Sequence, residues 1–284
     1  MQFLDVKTDF AFKKVFGSQE SQEILISFLN SVINFEGDEK IVSLTIVDPY
    51  QIPLIKGMKD TFVDVKARLS NHKQVIIEMQ VLNVQGFEKR ILYNAAKSYS
   101  SQLQKAQDFS TLEPIIALTI TDFVMFEKID TVITYFKLIE KEFLIEYSDE
   151  IELIFVELPK FEKSEEELTS IADKWIYFIK NAGTLESTPK TLITEVEIEK
   201  AFGIANTAGM SHEELEAQWK RHDFLYLQKN SIEFALMKGI EQGIEQGKKE
   251  KAIEIARNLL QLEIDIEKIS KITGLTMDEI EEIE

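Results

Sequence analysis

Residues 60–80, DTFVDVKARLSNHKQVIIEMQ, constrain this chain more than any other stretch. Two runs rich in apolar and β-branched residues flank Ser70-Asn71-His72, and Asn71 supplies the turn tendency. The pattern predicts an antiparallel hairpin with strands over 60–69 and 74–81. Asp64 stands in the middle of the first strand, and Glu78-Met79-Gln80 ends the second. Strand side chains alternate, so Glu78 and Gln80 point the same way, and pairing brings Asp64 beside them. An acid inside VIIEMQV is costly unless it is paired or metal-bound. Asp64 alone reads as an ordinary surface residue. Together the two carboxylates and the amide can hold a hard divalent cation and aim a water.

The elements around the hairpin follow from periodicity. TDFAFKKVF reads as a helical turn with Phe12 and Phe16 at i,i+4, and SQEILISFLNSVI as an apolar helix. Gly37 and Asp38 break that pattern. IVSLTIV, 41–47, alternates as a strand limited by Pro49 and Pro53. GFEKRILYNAAKSYSSQLQKAQ, 86–107, forms an amphipathic helix, and PIIALTIT, 114–121, a strand apolar on both faces. The order is helix, three strands, helix, strand, with a right-handed parallel return. Residues 129–157 add further strands. From Ser164, SEEELTSIADKWIYFIKNAG reads as a helix that ends near Gly183, and 191–230 as two helices parted around Gly203–His212. Trp175 and Trp219 read as packing residues.

The C-terminal part changes character. GIEQGIEQG sets Gly239, Gly243 and Gly247 on one helix face, and each glycine weakens the helix by roughly 1 kcal/mol relative to alanine. A charged flexible linker and a helix ordered by self-association fit it equally. DIEKISKITGLTMDEIEEI then outlines helix, turn, helix. The acids of 276–284 repel phosphate and favour a packing or dimerisation unit there over a DNA reader. The expected organisation is a core over 1–160, a helical extension over 161–235 and an assembly segment over 236–284.

Charge and composition narrow the chemistry. The chain has no cysteine and only three histidines, so there is no disulfide partner, and any metal takes oxygen ligands: Mg²⁺ first, with Mn²⁺ or Ca²⁺ as alternatives to it, rather than zinc. The net charge is −18, but residues 1–110 balance 13 basic against 13 acidic residues, so the whole excess lies beyond them. The candidate site can approach phosphates locally, without a broad basic footprint. MQFLDVKTDF has no basic leader, and no apolar run is long enough to span a membrane, so a cytoplasmic protein is expected.

Asp64 with Glu78-Met79-Gln80, preceded by DFAFKKVFG and followed by FEKRILYNAAKSYSSQL, resembles the recombination-promoting nuclease and transposase family of the PD-(D/E)XK superfamily. The GIEQGIEQG repeat and the TGLT helix pair resemble that family's C-terminal region. The resemblance runs from about Asp5 to the C-terminus, more loosely over 125–230. It implies an α/β restriction-endonuclease-like core, αβββαβ around a mixed central sheet, with a helical C-terminal region. It also implies metal-dependent endonucleolytic cleavage of DNA, tied to recombination, transposition or defence against mobile DNA.

By that resemblance Asp64 is the motif aspartate, Glu78 the acid of the (D/E)XK motif, and Gln80 stands where most of the superfamily has lysine. Asp9, Arg90 and Tyr93 match recurrent positions. A divalent ion on Asp64, Glu78 and the Met79 carbonyl would polarise the phosphate and lower the pKa of a bound water. Gln80 can orient that water but cannot charge it. Lys66 either supplies the missing cation or is a solvated strand residue. Lys13 either faces phosphate or solvates its helix. Arg90 either clamps a phosphate or pairs with Glu78. A catalytically weak DNA-binding or assembly protein with the same fold is the alternative, and an RNA nuclease a third.

Overall fold

The computed structural model describes residues 3–33, 35, 39–51, 61–103 and 105–283. Gly37, Asp38, Pro53 and Asp60, all used above, lie outside the described residues. The first helices are α1 (Asp9–Phe16) and α2 (Gln22–Val32), followed by the strands β1 (Leu44–Val47), β2 (Tyr50–Gln51), β3 (Thr61–Phe62), β4 (Val65–Leu69) and β5 (Gln74–Gln80). Next come α3 (Phe87–Ser100), β6 (Ile115–Thr121), β7 (Ile133–Ile139) and β8 (Glu146–Glu157). The chain ends in α4 (Ile171–Asn181), α5 (Val196–Ala205), α6 (His212–Gln261), α7 (Ile266–Thr273) and α8 (Met277–Glu281).

Six strands form one mixed sheet in the order β1-β4-β5-β6-β8-β7. β1, β4 and β5 pair antiparallel, β5, β6 and β8 run parallel, and β7 closes the edge antiparallel to β8. The return from β5 to β6 passes through α3, because a parallel neighbour needs a crossover rather than a tight turn. This is the mixed α/β fold that the element order implied.

Alternation decides which face each helix covers. Val65, Ala67, Val75, Ile77 and Met79 join Ile116, Leu118 and Ile154 in a large core with α1, α2, α4 and α5. The opposite face carries Val63, Ile76, Ile115 and Ala117 against Ala95 of α3. Phe16 lies 5.0 Å from Phe28 and 5.8 Å from Trp175, ring centroid to ring centroid, so aromatic contacts join α1, α2 and α4. The Trp175 indole N–H donates to Ser27 Oγ at 3.1 Å. Trp175 therefore packs as expected, whereas Trp219 is 60% exposed.

Four local expectations are corrected. The first hairpin strand is not continuous over 60–69: the chain bends at Asp64 and β4 begins at Val65. The reason is a side chain, described below, that takes a backbone partner. At the hairpin tip, His72 rather than Asn71 adopts positive φ, at +61°, while Asn71 Oδ1 accepts from Lys73 N–H at 3.3 Å. Ser164 starts only a single turn, Glu165–Glu167; α4 begins after Ser170, whose capping box with Asp173 satisfies the first free N–H groups. α3 likewise stops at Ser100, short of 107.

The chain divides into two compact units, residues 1–225 and 226–284. α6 continues as helix through Gly239, Gly243 and Gly247. In the second unit Ala256, Ile269, Leu275 and Ile280 form a small core. Gly274 ends α7 at φ +76°, a conformation that suits glycine, and Thr276 with Glu279 caps α8. Among the described residues no helix is long and apolar enough to cross a membrane.

Candidate active site

Two groups of polar side chains meet the end of β5 from opposite sides. The first centres on Asp64. Its backbone N–H donates to the Ile77 carbonyl at 3.0 Å, which continues the β4–β5 ladder by one step. Its Oδ2 then accepts the Met79 N–H at 2.7 Å, and the chain bends there because a carboxylate has replaced a backbone carbonyl. α1 supplies the other partners. Thr8 caps it, and Asp9 and Lys13 fall on one face at i,i+4. Lys13 Nζ pairs with Asp9 and lies 3.4 Å from Asp64 Oδ1.

Asp64 is only 13% exposed. Burial pushes its carboxyl up to about 7; the Met79 N–H and the Lys13 charge oppose the shift, while a hydrogen bond with Asp9 and the Asp9 charge reinforce it. Burial also acts to raise Asp9, but hydrogen bonds from Lys13 and Asp64 and the charges of Lys13 and Arg221 outweigh it, and Asp9 is held below the usual range. The two neighbouring carboxyls thus shift in opposite directions, Asp64 up and Asp9 down.

The second group centres on Glu78, 14% exposed. Arg90 Nη2 pairs with Glu78 Oε1 and donates to Gln80 Oε1 at 2.7 Å. Gln80 Nε2 donates to the Leu82 carbonyl at 2.7 Å, which fixes the orientation of the amide. Arg90 reaches β5 from the first turn of α3, and its guanidinium lies 5.0 Å from the Phe87 ring. Burial raises Glu78, against the charge and hydrogen bond of Arg90 and the amide of Asn94.

The other expected residues lie apart. Lys66 is half-buried, and burial with the Arg68 charge lowers its pKa; Asp48 is the acid that opposes this. Lys13, not Lys66, is the cation beside Asp64, because the bend at Asp64 breaks the two-residue spacing that put Lys66 on its face. The Tyr93 ring lies 6.0 Å from Lys97 Nζ. The Met79 side chain is buried in the large core. Among the described residues, no three or more His, Cys, Asp or Glu side chains gather closely enough to hold a metal ion between them. Two residues were not read from the sequence. Asn94, one turn beyond Arg90, sits in the buried stripe Ile91, Asn94, Ala95, Ser98 of α3, and an amide in an apolar stripe is the signal that could have found it. Arg221 of α6 acts on Asp9 and lies 5.9 Å from the Phe10 ring, with Lys14 Nζ 5.7 Å from that ring. No local pattern marks it.

Residues 6–235 match the PD-(D/E)XK nuclease family transposase family. The chain belongs to this nuclease family. Residues 249–284 match the Rpn/YhgA-like nuclease family, C-terminal HTH domain. On charge alone that end favours packing over DNA reading; an HTH domain points to DNA instead. Neither curated proteins nor solved structures give a match to the chain.

PD-(D/E)XK nucleases generally use divalent metal ions, and the donors present suit one. Those that the sequence led us to expect, Asp64, Glu78 and the Met79 carbonyl, are all oxygens. Both carboxyls are raised by burial, a cost that a bound cation would offset.

The Asp64 shift has a consequence for stability. Its folded-state value lies above the ordinary 3.8, so the proton favours the fold. That contribution is complete below about pH 3.8 and is lost as pH rises through about 7. In chelator, the melting temperature of the wild type therefore falls between about pH 5 and about pH 8 relative to Asp64→Asn. Asp9→Asn moves that fall to lower pH, since it removes the neighbouring charge. Parallel melting curves for wild type and Asp64→Asn would remove the assignment.

Proposed function

We propose that the chain is a metal-dependent DNA endonuclease that hydrolyses phosphodiester bonds in the cytoplasm, in recombination, transposition or defence against mobile DNA. The observation that carries this reading is the pair of buried, raised carboxyls, Asp64 and Glu78, held at the end of β5 by α1 and α3. The nuclease family supports it. A divalent ion, Mg²⁺ first, would polarise the scissile phosphate and acidify a water.

The chain's own groups divide the remaining work. Asp64, Glu78 and the Met79 carbonyl would hold the ion. Gln80, with its amide anchored on Leu82, orients a water without supplying charge. Lys13 supplies the positive charge beside Asp64 that a motif lysine would otherwise bring. Arg90 takes a phosphate oxygen by charge-assisted hydrogen bonds when it turns from Glu78. Lys14 and Arg221, both near the Phe10 ring, give a bound DNA strand a cationic edge in a chain that is acidic as a whole. Asp9 engages Lys13 and Asp64 rather than the substrate, and the Tyr93 ring stands near Lys97 on α3.

A DNA-binding or assembly protein with weak catalysis is the second reading. The Arg90 pair on Glu78 and the absence, among the described residues, of a gathered three-acid cluster favour it. Supercoiled-plasmid nicking with Mg²⁺ or Mn²⁺ decides between the two. Wild type nicks; Asp64→Ala and Glu78→Ala lose the activity but keep DNA binding; Arg221→Gln binds DNA with a salt slope shallower by about one phosphate. Nicking that survives both alanine changes would exclude this site, and DNA binding without any nicking favours the second reading.

We also propose self-association through 236–284. Ile232, Leu236, Ile240 and Ile244 of α6 are exposed, and nothing approaches Gly239, Gly243 or Gly247 where a side chain would stand. A second backbone can approach such a face closely. Light scattering on full-length protein shows an oligomer that the Leu236→Glu, Ile240→Glu double variant reduces; an unchanged subunit number would place assembly elsewhere.

A further inference from the structure

Asn94 is 2% exposed, and neither Oδ1 nor Nδ2 of its amide has a hydrogen-bond partner. The side chain borders a void lined by Glu78, Thr119, Val63, Ile76, Ile91 and Ala117. The void is about 10 Å³, at or below the room one water needs, so a water is a poor candidate to satisfy the amide. Buried polar groups are seldom left in this condition unless another arrangement of the site uses them.

The neighbouring Arg90 shows the complementary imbalance. Its Nη2 serves Glu78 and Gln80 at once, while its Nε is buried without a partner. Asn94 lies near enough to Glu78 to favour the charged carboxylate, yet is not aligned for a hydrogen bond with it. Of the other residues that line the void, Thr119 brings one hydroxyl and the rest are aliphatic, so Asn94 is the one amide beside Glu78 there. When Arg90 turns to a phosphate, Glu78 loses the donor that holds it.

We propose that Asn94 is a positioning residue for Glu78, donating its amide N–H to the carboxylate once Arg90 releases it, so that the free oxygen of Glu78 stays aimed at a divalent cation. The inference rests on the nuclease reading above, and concerns how Glu78 is held rather than which residues hold the ion. A residue that merely fills space would be replaced without loss by an apolar side chain of similar size. A positioning residue would not, because metal ligands depend on the donors behind them.

The test is Mn²⁺ binding to the full-length protein by calorimetry, with melting curves in chelator and nicking measured alongside. Asn94→Leu melts at or above the wild-type temperature, since it removes an unsatisfied buried amide. The same variant binds Mn²⁺ about 10- to 100-fold more weakly and needs correspondingly more Mn²⁺ for half-maximal nicking. Asn94→Ala shows the same loss of affinity, which keeps the test intact if leucine disturbs folding. Wild-type Mn²⁺ affinity in both variants overturns the proposal and leaves the nuclease reading standing. A wild type that binds no Mn²⁺ overturns both.

Discussion

The hydrogen bond from the Met79 N–H to Asp64 Oδ2 is the interaction on which the site depends. It ends the regular strand before Val65, turns the Asp64 side chain toward α1, and ties it to the residue next to Glu78. Each consequence is local, but together they fix one carboxylate relative to a second strand. The sheet then does the rest. β5 pairs antiparallel with β4 as far as Ile77 and parallel with β6 through Gln80, so Glu78 is held by the β6 ladder just where the β4 ladder ends.

Around that end of β5 the charges are arranged in two groups with different logic. On the α1 side, the Lys13 ammonium stands beside both the exposed Asp9 and the buried Asp64, which offsets the cost of setting two acids side by side. On the α3 side, one guanidinium holds an acid and an amide. Each arrangement sets a cation beside a carboxyl that burial raises. Cations already stand where cationic partners are wanted, and the net charge of −18 does not describe this surface.

Much of this was legible in the sequence, for identifiable reasons. The apolar, β-branched runs VKARL and QVIIEMQ on either side of Ser70-Asn71-His72 specified a hairpin. The apolar run IIALTIT marked a central parallel strand. The break at Asp64 was not legible, since periodicity cannot show that a side chain has taken a backbone N–H. Lys66 looked like the natural cation by strand spacing, and that spacing failed at the bend. Lys13 was visible only as one of two lysines on a short helix. Arg221 comes from a helix far along the chain, and only tertiary packing brings it to Asp9. The glycine repeat was ambiguous because each glycine weakens a helix while the spacing of four suits one, so local sequence argues both ways.

The central claim is that Asp64 and Glu78 form one cation site, although α1 and α3 hold them separately. Anomalous diffraction from crystals soaked in Mn²⁺ with a DNA duplex tests it directly. The account predicts a Mn²⁺ peak in contact with both carboxylates and Arg90 turned away from Glu78 toward a phosphate. A peak that touches neither carboxylate, or Arg90 still paired with Glu78 while Mn²⁺ and DNA are bound, would contradict it.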